Sequence, residues 1–254
     1  MRTAKGQSVV LVDAGPDLRR QVRLIPQPPG HAGPRRMPFD AVMLTHLHMG
    51  HCAGLLELGP EVLDAREVPV FCTAAVAEVL ASNAPWSLLV TRGNILLKRV
   101  APGERFEPLP GLWAEAFSVP HRDEFGDTVG YVAGLSGGKS VLYIPDADNW
   151  RGLATPLAEM VRKSDWALLD GTFFDQRELA SVTGRDLSDV PHPPVTDTLG
   201  LLNGLLNRVI FTHLNHTNPL VRPDSPQTAQ LALRGAAVAA EGMRLDLCRR
   251  DGED

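Results

Sequence analysis

The sequence predicts a layered α/β protein (α+β in some schemes), with helices covering sheets. Two observations carry that expectation. Short apolar runs alternate with segments of helical apolar spacing along the chain, the pattern of strands packed beneath helices. Polar, metal-capable residues recur just after strand-like runs, at His46, His121, Asp146, Asp170 and His213. In layered α/β proteins, functional side chains gather at such strand ends. No internal repeat or low-complexity tract interrupts the pattern, so a single domain is the economical organisation.

The elements follow in order. SVVLV, residues 8–12, is a buried strand closing on Asp13-Ala14-Gly15. PDLRRQVRLIP is a helix with Asp17 near its N-terminus. Asp13 and Asp17 flank a glycine turn, and a structural cap is the favoured reading of both. Residues 26–38 form a loop by their proline and glycine content, with His31 a solvated loop residue. FDAVMLT, 39–45, is a second buried strand running into HLHMGH, and CAGLLELGPEVL has helical spacing. VPVFC, 68–72, is a strand, and TAAVAEVLAS a helix capped by Thr73. ILLKRV, 95–100, and LWAEAFSV, 112–119, are strands, the second ending at Pro120-His121. GDTVGYVAGL and GGKSVLYIPDADNW make a hairpin, with Asp146 after its second strand. PLAEMVRKS is a helix and DWALLDG a buried strand ending at Asp170. TDTLGLLNGLL is a helix from Thr196 or Asp197, and RVIFTHLNHTNP a strand entering a loop. The tail gives a helix and a last strand.

Composition narrows the function. Hydrophobic content of 44% and charged content of 22% are ordinary for a soluble globular chain of 254 residues. A net charge of −5 argues against a nucleic-acid binder. The three cysteines, Cys52, Cys72 and Cys248, give neither a disulfide framework nor a CxxC metal knuckle. They read as small buried hydrophobes, with Cys52 beside the histidines as a less favoured metal neighbour. MRTAKGQSVVLVDAG lacks a signal-peptide pattern and no apolar run is long enough to span a membrane. The expectation is a cytoplasmic protein acting on a small-molecule or peptide-derived substrate, with a homodimer allowed.

LTHLHMGHCAGLL places three of the eight histidines at 46, 48 and 51. Neutral imidazole is the commonest metal ligand. In H-x-H, residues i and i+2 can point the same way from an extended segment, and a turn can swing a third histidine alongside. The trio can therefore feed one metal or two neighbouring metals.

These residues resemble the metallo-β-lactamase superfamily, whose signature after an apolar strand is H-x-H-x-D-H. His46, His48 and His51 stand in that frame; His121 in SVPH, Asp146 in LYIPD and His213 in IFTH follow in chain order. The resemblance implies an αββα sandwich of two mixed sheets with helices outside, over 1–254 as one domain. It implies metal ligands His46, His48 and His121 for a first ion, and His51, Asp146 and His213 for a second. The family's aspartate is replaced by Gly50, which implies that the first site fills tightly and the second weakly or not at all. VDAGPDLRRQ, GDTVGY, LLDGTFFDQREL, VPHPPVTDTLGLL and FTHLNHTNPLV resemble, more narrowly, the B-protein family of pyrroloquinoline quinone biosynthesis. That family carries a cysteine-rich N-terminal segment that this chain does not show, so the family's first segment is expected to be missing.

The resemblance implies a metal-dependent hydrolase with Zn2+ (alternatives Fe2+ or Mn2+), in which metal-activated water attacks an ester, lactone, amide or phosphodiester. Asp146 orients the water or bridges two metals. His192, in VPHPP, either stabilises oxyanion charge or donates a proton, or is a plain loop histidine. The alternatives are an iron-dependent oxidative enzyme of pyrroloquinoline quinone biosynthesis and an inactive metal-binding paralogue. Asp170 is read as a histidine-orienting carboxylate or a strand-end turn, and Asp148 as a turn starter before a substitute ligand. His216 is read as a neighbour or substitute of the last ligand. Trp150 is read as core or pocket, and Asp175, Arg177 and Glu178 as a solvated helical face.

Overall fold

The computed structural model describes residues 2–3, 6–25, 37–178 and 191–248. Most of the loop expected at 26–38, and His31 with it, lies outside the described residues. The chain divides into two compact units, Met1–Ala116 with Asp123–Val129, and Phe117–Arg122 with Gly130–Asp254.

In the first unit, β1 (Arg2–Thr3) and β2 (Gly6–Gln7) form a small antiparallel pair. Strands β3 (Val10–Val12), β4 (Ala41–Met43), β5 (Val68–Cys72) and β6 (Ile95–Arg99) follow one another across a sheet in that order. Every pairing in it is parallel, so this sheet is not itself mixed. Each step between parallel strands needs a crossover, and helices α1 (Leu18–Gln21), α2 (Met49–Cys52), α3 (Ala74–Ser82) and α4 (Trp86–Thr91) lie in those connections. Strand β4 is buried at all of its positions and β5 alternates. Phe39, Val42, Leu44, Leu55, Leu58, Val70, Val76 and Leu80 belong to one core. Helix α3 starts as its sequence dictates, with Thr73 Oγ1 accepting from the Val76 amide at 3.3 Å. Strands β7 (Arg105–Leu109) and β8 (Leu112–Ser118) pair antiparallel, with Arg105 opposite Glu115.

Two helices of this unit are shorter than the sequence reading expects. Asp17 is the N-cap of α1 but its side chain makes no capping bond, and α1 gives way after one turn to a 3₁₀ turn at Val22–Leu24. CAGLLELGPEVL is not one helix: α2 passes into a 3₁₀ segment at Ala53–Leu58. The backbone packs closely here. A Cβ on Gly54 would sit 2.3 Å from the Gly15 carbonyl oxygen, and one on Gly15 2.6 Å from that of Gly50. Only glycine lets these two backbones meet.

In the second unit, β9 (Val129–Leu135) and β10 (Ser140–Ile144) form the expected hairpin, with Tyr143 opposite Tyr131. Strands β11 (Trp166–Asp170), β12 (Val209–Thr212) and β13 (Ala237–Val238) continue parallel from β10. This sheet is therefore mixed. Helices α5 (Leu157–Lys163), α6 (Val195–Leu201) and α7 (Pro226–Leu233) belong to this unit. Helix α6 begins at Val195 and stops short of the LNGLL stretch, where Gly204 takes φ +86°. Trp150 is buried and donates its indole N–H to Thr198 Oγ1 at 2.8 Å, so it is core. Among the described residues no helix is long and apolar enough to cross a membrane.

Candidate metal centre

The first unit gathers its histidines at strand ends. After the fully buried β4, Thr45 donates its amide and its hydroxyl to the Asp13 carboxylate, at 2.8 and 3.0 Å. Asp13, at the end of β3, takes φ +62°, a left-handed backbone that Asp and Asn tolerate best among non-glycine residues. Because the Thr45 hydroxyl spends its proton on Asp13, it accepts from His46 Nδ1 at 2.9 Å. The lone pair of His46 is thereby fixed on Nε2. His51, buried and brought round by the turn of α2, sets Nδ1 2.8 Å from Asp13 Oδ2. His46 Nε2 lies 2.9 Å from His48 Nδ1, and His48 Nε2 lies 3.2 Å from Glu124 Oε2. The His46 and His51 ring centroids are 4.2 Å apart.

The second unit repeats the device. Asp148 holds the chain at Pro120, its amide donating to that carbonyl at 2.7 Å, while its carboxylate accepts from His121 Nδ1 at 2.7 Å. Thr172 donates its hydroxyl to the His213 carbonyl at 3.2 Å and so accepts from His213 Nδ1 at 3.0 Å. His213 takes φ +57° to make both bonds. The Nε2 atoms of His121 and His213 each lie 3.6 Å from Asp146 Oδ2. Asp170, fully buried, accepts from the Ala147 amide, the Thr172 amide and His192 Nδ1 at 3.0, 2.8 and 2.8 Å. His192 Nδ1 is also 3.3 Å from Asp146 Oδ1. Burial opposes the charged form of His192, but the hydrogen bond and charge of Asp170, with the charge of Asp146, outweigh it and raise the pKa. Donor atoms of Asp146, Asp170 and His192 fall within 4.8 Å of one another.

One pattern covers both units. His46, His51, His121, His192 and His213 are each anchored through Nδ1 by a hydroxyl or carboxylate oxygen. That is how metal-ligating histidines are oriented, with the other nitrogen left to bind. The donor set of imidazoles with one buried carboxylate suits a divalent transition ion.

The contacts correct some sequence readings and resolve others. Asp13 is not a cap but the acceptor that ties Thr45 to His51. Asp148 orients His121, and Asp170 both orients His192 and closes the strand-end turn. Glu178 is buried, its carboxylate accepting from the Phe174 amide at 2.7 Å and the Thr217 hydroxyl at 2.6 Å, so it is no solvated face. Asp175 accepts from the Arg177 and Glu178 amides. His216 is exposed. Cys52 is buried, donates to the Leu47 carbonyl, and is pushed up to about 12 by burial and the nearby Asp13 charge. Glu124 was not anticipated, because nothing in HRDEFGD marks one acid among three. Asn218, in the HTNP stretch, is buried and donates Nδ2 to the Gly171 carbonyl at 2.6 Å.

A family model described as a beta-lactamase superfamily domain matches residues 9–214. The coenzyme PQQ synthesis protein B of Azotobacter vinelandii is 30% identical over 262 residues, covering 95% of this chain and 84% of that protein. The chain belongs to the coenzyme PQQ synthesis protein B family of the β-lactamase superfamily. The crystal structure of Zn(2+)-bound PqqB from Methylobacterium extorquens superposes with a TM-score of 0.78 at 28% identity, covering 94% of this chain and 83% of that one. A diphosphatase of the PhnP family superposes at 0.63 with 23% identity, covering 95% and 81%, and speaks for the fold alone. The metallo-β-lactamase fold, with its two sheets and helices, is thus the fold of this member of the family.

Proposed function

We propose that this chain is a metal-dependent enzyme of coenzyme PQQ synthesis, acting on a small-molecule or peptide-derived substrate by metal-assisted hydrolysis. His46, His48 and His121 hold the tighter ion, and His51, Asp146 and His213 the weaker, as the family pattern orders them. Zinc is the proposed ion, in keeping with the zinc-bound relative. The single observation that carries the reading is the Nδ1 anchoring of the histidines in each unit. A cluster of unrelated histidines has no reason to spend its ring orientation so uniformly.

A divalent ion there supplies Lewis acidity and lowers the pKa of water towards about 7. The chain's own groups do the rest. Asp146, buried against His121, His192 and His213, orients the attacking water and accepts its proton. His192, with its Nδ1 proton held by Asp170, is the group that stabilises an oxyanion or protonates a leaving group. A cytoplasmic location goes with this proposal.

A second reading has its own observation. His121 and His213 with Asp146 make two imidazoles and one carboxylate within a single unit, the donor set of non-haem iron oxygenases. Purified protein loaded with zinc or with iron separates the two. Zinc-supported hydrolysis of ester, lactone, amide or phosphodiester substrates supports the first. Iron-dependent oxygen uptake without hydrolysis overturns it in favour of the second.

A further inference from the structure

His48 stands apart from the other histidines of the cluster. Its Nδ1 faces His46 Nε2 at 2.9 Å, and its oxygen partner, Glu124 Oε2, sits instead at Nε2, 3.2 Å away. We propose that Glu124 is the positioning residue of His48: its carboxylate holds the proton on Nε2 and thereby makes Nδ1 the metal-binding atom. The proposal rests on the metal-binding reading above.

The logic is one of tautomers. His46 already presents its Nε2 lone pair, because the Thr45 hydroxyl takes the Nδ1 proton. A lone pair on His48 Nδ1 beside it makes two donors for one ion. A neutral imidazole has a proton on one nitrogen only. An acceptor must therefore stand at Nε2, or the proton is free to occupy Nδ1 and block the ion. Among the described contacts of that nitrogen, Glu124 is the acceptor. In the other anchored rings the oxygen holds Nδ1, so His48 needs the opposite placement, and its partner comes from a different segment.

That segment is built to stay in place. Asp127 accepts a hydrogen bond from the Thr73 hydroxyl at the start of α3. The Val129 amide donates to the Thr45 carbonyl at 3.0 Å, next to His46. Gly126 takes φ +111°, and a Cβ there would meet the Val76 amide nitrogen at 3.3 Å, so glycine allows the close turn. Phe125 sets its ring edge-on to His48, with centroids 6.4 Å apart. Carboxylate and phenyl ring from successive residues thus bracket one imidazole. The Glu124 side chain is 49% exposed and His48 only 20%, so replacing the glutamate costs the core nothing.

The experiment compares wild type, Glu124→Ala and Glu124→Gln. Zinc affinity is read by competition with a chromophoric chelator, and the His48 tautomer by nitrogen-15 NMR of metal-free and zinc-loaded protein. Removing such an outer partner costs about 10- to 100-fold in metal affinity. That loss is expected for Glu124→Ala, with a smaller loss for Glu124→Gln, whose amide oxygen still accepts. The His48 Nε2 proton signal is expected in zinc-loaded wild type and weakened in Glu124→Ala, with thermal melting unchanged. Zinc affinity of Glu124→Ala within twofold of wild type, or a zinc-loaded His48 protonated at Nδ1, overturns the proposal. If wild type binds no zinc, the proposed function falls instead. The metal-free spectra then decide the inference: an Nε2 proton unaffected by Glu124→Ala overturns it.

Discussion

Asp13 Oδ2 lies 2.8 Å from His51 Nδ1, and the same carboxylate takes the amide and hydroxyl protons of Thr45. One buried acid therefore fixes two of the three clustered histidines, His51 directly and His46 through Thr45. Asp13→Ala removes an acceptor from several buried donors and places alanine at φ +62°. Leaving such groups unsatisfied costs about 1–3 kcal/mol each. Asp13→Ala is expected to lower unfolding stability by about 3 kcal/mol in urea titration, and Asp13→Asn by less, since Asn tolerates the backbone and keeps one acceptor.

Gly50 and Gly15 predict opposite responses. Nothing lies within 4 Å of a Cβ added at Gly50, whereas one at Gly15 would sit 2.6 Å from a backbone oxygen. Gly50→Ala is expected to leave stability unchanged or raise it by up to about 1 kcal/mol, as glycine-to-alanine changes in helices do. Gly15→Ala is expected to cost about 2 kcal/mol or more, as overpacking does. Gly50→Asp fits by the same measure and is expected to raise zinc stoichiometry, read by mass spectrometry of the native protein.

Thiol chemistry reads burial directly. Burial pushes both Cys52 and Cys72 up to about 12, with Asp13 adding at Cys52; at Cys72 Asp127 adds and Arg99 opposes. Cys248 is exposed. A disulfide reagent at pH 8 is expected to titrate Cys248 alone in native protein and all three cysteines in guanidinium.

His192→Ala is expected to lower turnover by about 10²- to 10⁴-fold while zinc content stays at the wild-type value. Asp170→Asn, which weakens the hold on His192 Nδ1, is expected to lower turnover too. An additional loss of stability is expected there, because Asp170 also accepts from the Ala147 and Thr172 amides.

Much of this was legible because strands and ligands share one signal. Apolar runs such as VPVFC and DWALLDG ended where β5 and β11 end, and Thr73 capped α3 as its type dictates. The resemblance to the family laid its ligand frame on His46, His48, His51, His121, Asp146 and His213 in chain order. What escaped was tertiary. Asp13, Asp148 and Glu178 look like turn or surface acids in sequence, and only the fold gives them imidazole, amide or hydroxyl partners. Strand β7 was missed because RFEPL carries a proline and a glutamate, poor strand formers. The close approach of Gly54 to Gly15 is likewise a contact between segments that no local pattern encodes.

The most direct measurement is zinc content and affinity of the purified chain, determined by plasma mass spectrometry and chelator competition, beside variants His46→Ala, His121→Ala and Asp146→Ala. About one tightly held ion per chain is expected for wild type, lost or greatly weakened in both histidine variants, with turnover falling in all three. Wild-type protein that holds no ion, or variants that bind zinc as wild type does, would contradict the account.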